Sequence, residues 1–143
     1  MQVFIIGTPL ETAQALDARR LNKQIIECRQ ISRALSDPAP TAWDNHPAVL
    51  QYRWDDTWLH CYTRCLEYYR KGEEETARRF SDNADKIRPD FHTPEYFDQM
   101  KRRLYTKNPQ HYAQFAHLGT SETNWYFVDG SWKYYENGKL IKQ

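Results

Sequence analysis

Glu27 is a lone carboxylate among basic and amide side chains. Arg20, Lys23 or Gln24, Glu27 and Gln30 share a stripe of the helix that the pattern predicts over residues 16–35. A carboxylate in that company can move a proton or steady a developing positive charge. The same residues also describe an ordinary solvated surface, since Lys23 and Glu27 are an i,i+4 pair worth about 0.2–0.5 kcal/mol when exposed. What packs against the stripe decides between the two.

The elements around it follow from spacing and punctuation. Leu21, Ile25, Cys28, Ser32 and Leu35 recur at intervals of four, three, four and three and predict the buried face of this helix, with Asp17 as its cap. The apolar run 2–6 precedes it, as a buried strand or an extended arm. Thr8, Pro9 and Glu11 form a capping box that opens a short helix reaching about Ala15. Asp37, Pro38 and Pro40 close the main helix. Pro47 opens a second long helix over residues 47–70, with Leu50, Trp54, Trp58, Cys61, Cys65 and Tyr69 as its buried stripe and Gly72 as its stop. Residues 73–80 read as a third helix and 81–90 as a loop. Thr93 and Pro94 start a helix over 94–105, and Asn108 and Pro109 start a short one ending near Gly119. Then WYFV, SWKYYE and KLIK are joined by Asp129-Gly130 and Asn137-Gly138, as short strands with tight turns or as an irregular aromatic tail. The expectation is an all-α single domain over residues 1–143: a compact bundle around two long helices, with an extended N-terminal arm and an aromatic C-terminal tail or small β-hairpin.

Composition narrows the function. The chain has 143 residues and a formal net charge of +1, from 20 basic and 19 acidic residues. Overall charge does not announce nucleic-acid binding, but its distribution allows a local basic face: Arg19, Arg20, Lys23, Arg29 and Arg33 gather in one helix, Lys101, Arg102, Arg103 and Lys107 form a second basic cluster, and Glu73, Glu74 and Glu75 gather elsewhere. Three cysteines, 28, 61 and 65, make no disulfide framework or zinc spacing and read as small buried hydrophobes in a reducing compartment. The opening MQVFIIGTP has no basic n-region, and no window reaches transmembrane length, so a soluble, cytoplasmic protein is expected. Walker, dinucleotide, HExxH, nucleophile-elbow and zinc-deaminase patterns are missing, and the histidines at 46, 60, 92, 111 and 117 do not fall at ligand spacing. Neither a metal nor another cofactor is expected.

LDARRLNKQIIECRQISRAL followed by WDNHPAVLQYR resembles the bacterial and phage relatives of the pyrimidine-dimer DNA glycosylases, the phage endonuclease V type. KNPQHYAQF at 107–115 and, more weakly, MQVF at the start are similar too. The resemblance implies an all-helical DNA glycosylase with abasic-site lyase activity. The family's nucleophile is the amine of the first residue after methionine removal, and its essential acid falls on Glu27. Arg20 falls near a side chain that holds the DNA, and Trp132, Lys133, Tyr134, Tyr135 and Lys139 match the content of the family's C-terminus. Position 2 departs from the pattern, because Gln2 is too large for the usual removal of Met1. Either Met1 supplies the amine, or another processing step exposes Gln2, which can then cyclise, or the lyase chemistry is lost.

The chemistry suits an N-terminal amine, whose reference pKa of about 7.7–8.0 leaves a neutral fraction that a lysine lacks. Arg19, Arg20 and Lys23 are placed to clamp phosphates, or else form a solvated ion-paired surface. Asn45 and His46 cap the second long helix or reach the lesion, and Tyr52 and Arg53 line the groove or brace helices. Arg102, Arg103 and Lys133 complete the candidate DNA contacts. The expected partner is double-stranded DNA, met by a monomer, near the nucleoid or in a host cytoplasm. The alternatives are a non-catalytic nucleic-acid-binding relative and a protein-binding accessory factor.

Overall fold

The computed structural model describes residues 1–142. It has a unit over 1–89 and a unit over 90–143. The first is helical: α1 Pro9–Ala15, α2 Ala18–Ser36, α3 Pro47–Gln51, α4 Asp56–Arg70 and α5 Glu74–Lys86. The second has α6 Pro94–Lys107, a 3-10 turn Ala113–Leu118, and strands β1 Asn124–Val128, β2 Ser131–Glu136 and β3 Lys139–Lys142. This is an all-α bundle with a small C-terminal antiparallel sheet, and no described helix is long and apolar enough to cross a membrane.

Punctuation in the sequence became punctuation in the fold. Thr8 accepts from the Glu11 N–H while Glu11 accepts from the Thr8 N–H, the reciprocal capping box that starts α1. Asp17 caps α2 through the Arg20 N–H. Gly72 leaves α4 at φ +83°. Leu21, Ile25 and Cys28 are buried, but Ile31 takes the next place on the stripe and Ser32 is half-buried. Residues 3–5 are fully covered and extended, which makes the start of the chain an arm.

The 47–70 segment is two helices, not one. The chain breaks between Tyr52 and Asp55, and Trp54 stands 80% exposed instead of in the core. On an unbroken helix, residues six apart point roughly 240° from one another. The break lets both Tyr52 and Trp58 turn inward, where their rings stack at 5.3 Å and Trp58 stacks on Tyr62 at 5.0 Å. Cys61 is correspondingly half-buried rather than core. The contrast is measurable: Trp58→Ala should cost about 3–5 kcal/mol of stability, whereas Trp54→Ala should stay within about 0.5 kcal/mol. Urea unfolding of the two variants checks it, and equal losses would contradict this burial.

Two further corrections concern polar helices. Residues 81–86 continue α5 rather than forming a loop, because Ala77, Ser81 and Ala84 make a narrow buried face of small side chains. Ser81 Oγ accepts from the Leu10 N–H at 3.0 Å, tying α5 to α1. Asn108 ends α6 and its side chain accepts from the His111 N–H, and the short helix that follows is the 3-10 turn, stopped by Gly119 at φ +86°.

In the second unit the strands form a meander in the order β1-β2-β3. Asp129-Gly130 and Asn137-Gly138 all have positive φ, the requirement of two-residue hairpin turns, and they set Val128 opposite Ser131 and Glu136 opposite Lys139.

Candidate active site

The site begins with Gln24. Its position on α2, three residues before Glu27, places a carboxamide against the arm. Gln24 Oε1 accepts from the Phe4 N–H at 2.6 Å, and Gln24 Nε2 donates to the Gln2 carbonyl at 2.9 Å. One side chain thus pairs with the arm as a neighbouring strand would. From α4, the Tyr62 hydroxyl donates to the Phe4 carbonyl and lies 3.4 Å from Gln24 Oε1. Thr12 Oγ1 accepts from the Ile6 N–H at 3.1 Å. Gln24, Tyr62 and Phe4 are all buried, so these bonds are shielded from water.

This clamp delivers the backbone of residue 2 to Glu27. The Gln2 N–H donates to Glu27 Oε2 at 3.3 Å, while Lys23 Nζ lies 3.9 Å from Glu27 Oε1. The Glu27 side chain keeps 12% exposure and Lys23 58%, so the carboxylate is recessed and the ammonium meets solvent. The Gln2 side chain is buried, and neither its Oε1 nor its Nε2 has a hydrogen-bond partner among the described residues.

His46 stands at the start of α3. Its Nδ1 accepts from the Ala48 N–H at 3.0 Å and caps the helix. A neutral imidazole so engaged carries its proton on Nε2. Burial first, and then the positive charge of the chain's N-terminal amine, hold its pKa below the ordinary histidine range. The thiols are poor nucleophiles here: burial pushes Cys65 up to about 12 and Cys28 higher still.

Gln2, Glu27 and Lys23 therefore come together, with Met1 next to Gln2 in the chain, while His46 caps α3. Arg20 is half-buried with its guanidinium 5.5 Å from the Phe4 ring centre, at the edge of the same arm. Arg19 and Asn45 are exposed. Arg53 is half-buried, 5.5 Å from the Trp54 ring centre. The remaining candidates lie in the second unit. Arg102 Nε donates to the Leu118 carbonyl at 2.8 Å, and the buried Arg103 donates to the Ser121 carbonyl at 2.9 Å, so both guanidinium groups brace the segment before β1. Lys133 is half-buried on β2 opposite Tyr126. The clamping roles of Gln24 and Tyr62 were not foreseen. A polar residue at a core position of an amphipathic helix was the available signal.

The family model for pyrimidine dimer DNA glycosylase matches residues 1–87, which takes in the arm, the clamp, Glu27 and His46. Comparison with curated proteins and with solved structures gives no match. The matched stretch is well over half of the 143 residues, and the chain belongs to the pyrimidine dimer DNA glycosylase family.

Proposed function

We propose that this chain releases a damaged base from double-stranded DNA and then breaks the strand at the abasic site. The observation that carries the reading is the approach of the residue 2 nitrogen to the Glu27 carboxylate at 3.3 Å. An amine at that place attacks the anomeric carbon of the damaged nucleotide, the glycosidic bond breaks, and the base leaves with a proton. The sugar is then held as a Schiff base. Glu27 steadies the cationic sugar, and by taking a C2′ proton it lets the 3′ phosphate depart. Water then releases the cleaved strand and regenerates the amine.

The nitrogen beside Glu27 belongs to residue 2 and is an amide while Met1 remains. The reactive amine is Met1's own, one residue upstream, or that of residue 2 once Met1 has been removed. The arm's fixed register favours residue 2. Arg19, Arg20 and Lys23 on α2 contact phosphates on either side of the lesion, and Asn45, His46 and Arg53 of the same unit add further contacts. Arg102 and Arg103 are left out of this face because their guanidinium groups hold carbonyls within their own unit. Binding to DNA should fall with added salt as counterions are released.

Borohydride reduction in the presence of an abasic duplex tests the reading. A covalent protein–DNA adduct mapping to the first residue is expected, and its mass tells whether that residue is Met1 or Gln2. No adduct, or one confined to an internal lysine, overturns it.

A further inference from the structure

Trp54 stands on the break between α3 and α4, and at 80% it is the most exposed large apolar side chain among the described residues. The Arg53 guanidinium lies 5.5 Å from its ring centre. An indole so displayed is a recurrent anchor of contacts between proteins. Two residues further along, the first turn of α4 and the last turn of α2 enclose a recess of about 310 Å³. Leu35 gives it an apolar wall, and Ser32, Ser36, Asp56 and Thr57 give it oxygen atoms. The Ser36 hydroxyl donates to the Ser32 carbonyl at 2.8 Å, which leaves the Ser36 oxygen able to accept. The recess is at the low end of ligand pockets, which span about 300–1,000 Å³, and suits one large side chain better than a cofactor.

We propose that Trp54 of one molecule seats in this recess of a second copy of the chain, while the second copy's Trp54 seats in the recess of the first. Projection and recess belong to one small patch, residues 53–57 with 32–36, and a two-fold contact requires a surface that complements itself in this way. The chemistry matches. The ring needs an apolar wall, which Leu35 supplies, and its N–H needs an acceptor, which the Asp56 carboxylate and the Ser36 oxygen supply. The charges match as well: Arg53 accompanies the projecting ring and Asp56 lines the recess, so each copy brings a cation to the other's carboxylate. Duplex DNA is the poorer occupant for the indole even where Arg53 reaches a phosphate, because Asp55 and Asp56 follow Trp54 directly and repel the backbone. A seated tryptophan buries about 150–250 Å². Two of them with their recess walls stay below the roughly 1,200 Å² of a stable interface, so the pair is weak and forms only as concentration rises. The contact is independent of the chemistry at Glu27.

Sedimentation velocity of the intact chain from about 1 μM to about 1 mM reads the association. A reversible monomer–dimer equilibrium is expected, with a Kd weaker than about 1 μM. Trp54→Ala should weaken it by roughly thirtyfold or more, the scale of one anchoring tryptophan, with its urea midpoint close to the parent's. Arg53→Asp and Asp56→Arg should each abolish it, because like charges then meet at both contacts. Mixed in equal amounts, these two variants should associate again, since both contacts of the mixed pair then join opposite charges. Only a two-fold contact between positions 53 and 56 gives that recovery. A parent that stays monomeric over the whole range, association unchanged in Trp54→Ala, or a mixture of folded charge variants that stays monomeric overturns the proposal. Should either charge variant lose its urea transition, Trp54→Ala decides alone. A monomeric parent whose affinity for duplex DNA falls in Trp54→Ala assigns the indole to DNA and overturns the proposal as well.

Discussion

Glu27→Gln is expected to slow base release by about 100-fold or more, the scale set by a positioned acid or base. The substitution is nearly isosteric and keeps an oxygen that can accept from the Gln2 N–H, so the arm should stay docked. What disappears is the negative charge that the proposed mechanism uses to steady a cationic sugar and take its proton. DNA affinity should change far less, because the proposed phosphate contacts are made by the cations Arg19, Arg20 and Lys23 and not by the carboxylate. Single-turnover assays on duplexes with one defined lesion each, run beside a binding titration, provide the measurement. Full activity in Glu27→Gln would place the acid–base work on another residue, and a parallel collapse of binding would make Glu27 structural.

The second large effect is expected at Gln24. Gln24→Ala removes the acceptor of the Phe4 N–H and the donor to the Gln2 carbonyl in a buried setting. Stranding those two backbone groups should cost about 2–4 kcal/mol. The arm should loosen, and the borohydride adduct should fall with it although Glu27 and the amine are both present. Gln24→Glu retains the acceptor and loses the donor, so it should fall between. Urea midpoints at unchanged m-value read the stability. An alanine variant within about 0.5 kcal/mol of the parent would mean that the arm is held by apolar burial alone.

Much of this was legible beforehand, for identifiable reasons. Capping residues act locally, so the starts of α1, α2 and α6 could be read from Thr8, Asp17 and Thr93. The positive-φ pairs Asp129-Gly130 and Asn137-Gly138 announced the hairpins in the same way. Trp54 misled because periodicity assumes an unbroken helix, and the break at residues 52–55 serves the stacking of Tyr52 on Trp58, a tertiary preference. The polar half of α5 was missed because Ser81 and Ala84 form a close-packed face without any large apolar side chain. Glu27 was marked by its isolation among basic and amide neighbours and by resemblance. The clamp was not, since no local pattern says which amide on α2 will meet a backbone twenty residues upstream.

The clamp has a consequence beyond catalysis. Val3, Phe4, Ile5 and Ile6 form an uncharged, β-prone run without proline, the composition that assembles into stacked sheets when its edges are free. Here the Gln2 and Phe4 carbonyls and the Phe4 and Ile6 N–H groups are all occupied by side chains from α1, α2 and α4. An edge whose backbone groups are taken up by side chains is not open to a second molecule. The fold thereby covers one edge of this run, and the amide that sets the register of the arm also keeps neighbouring molecules from templating on that edge.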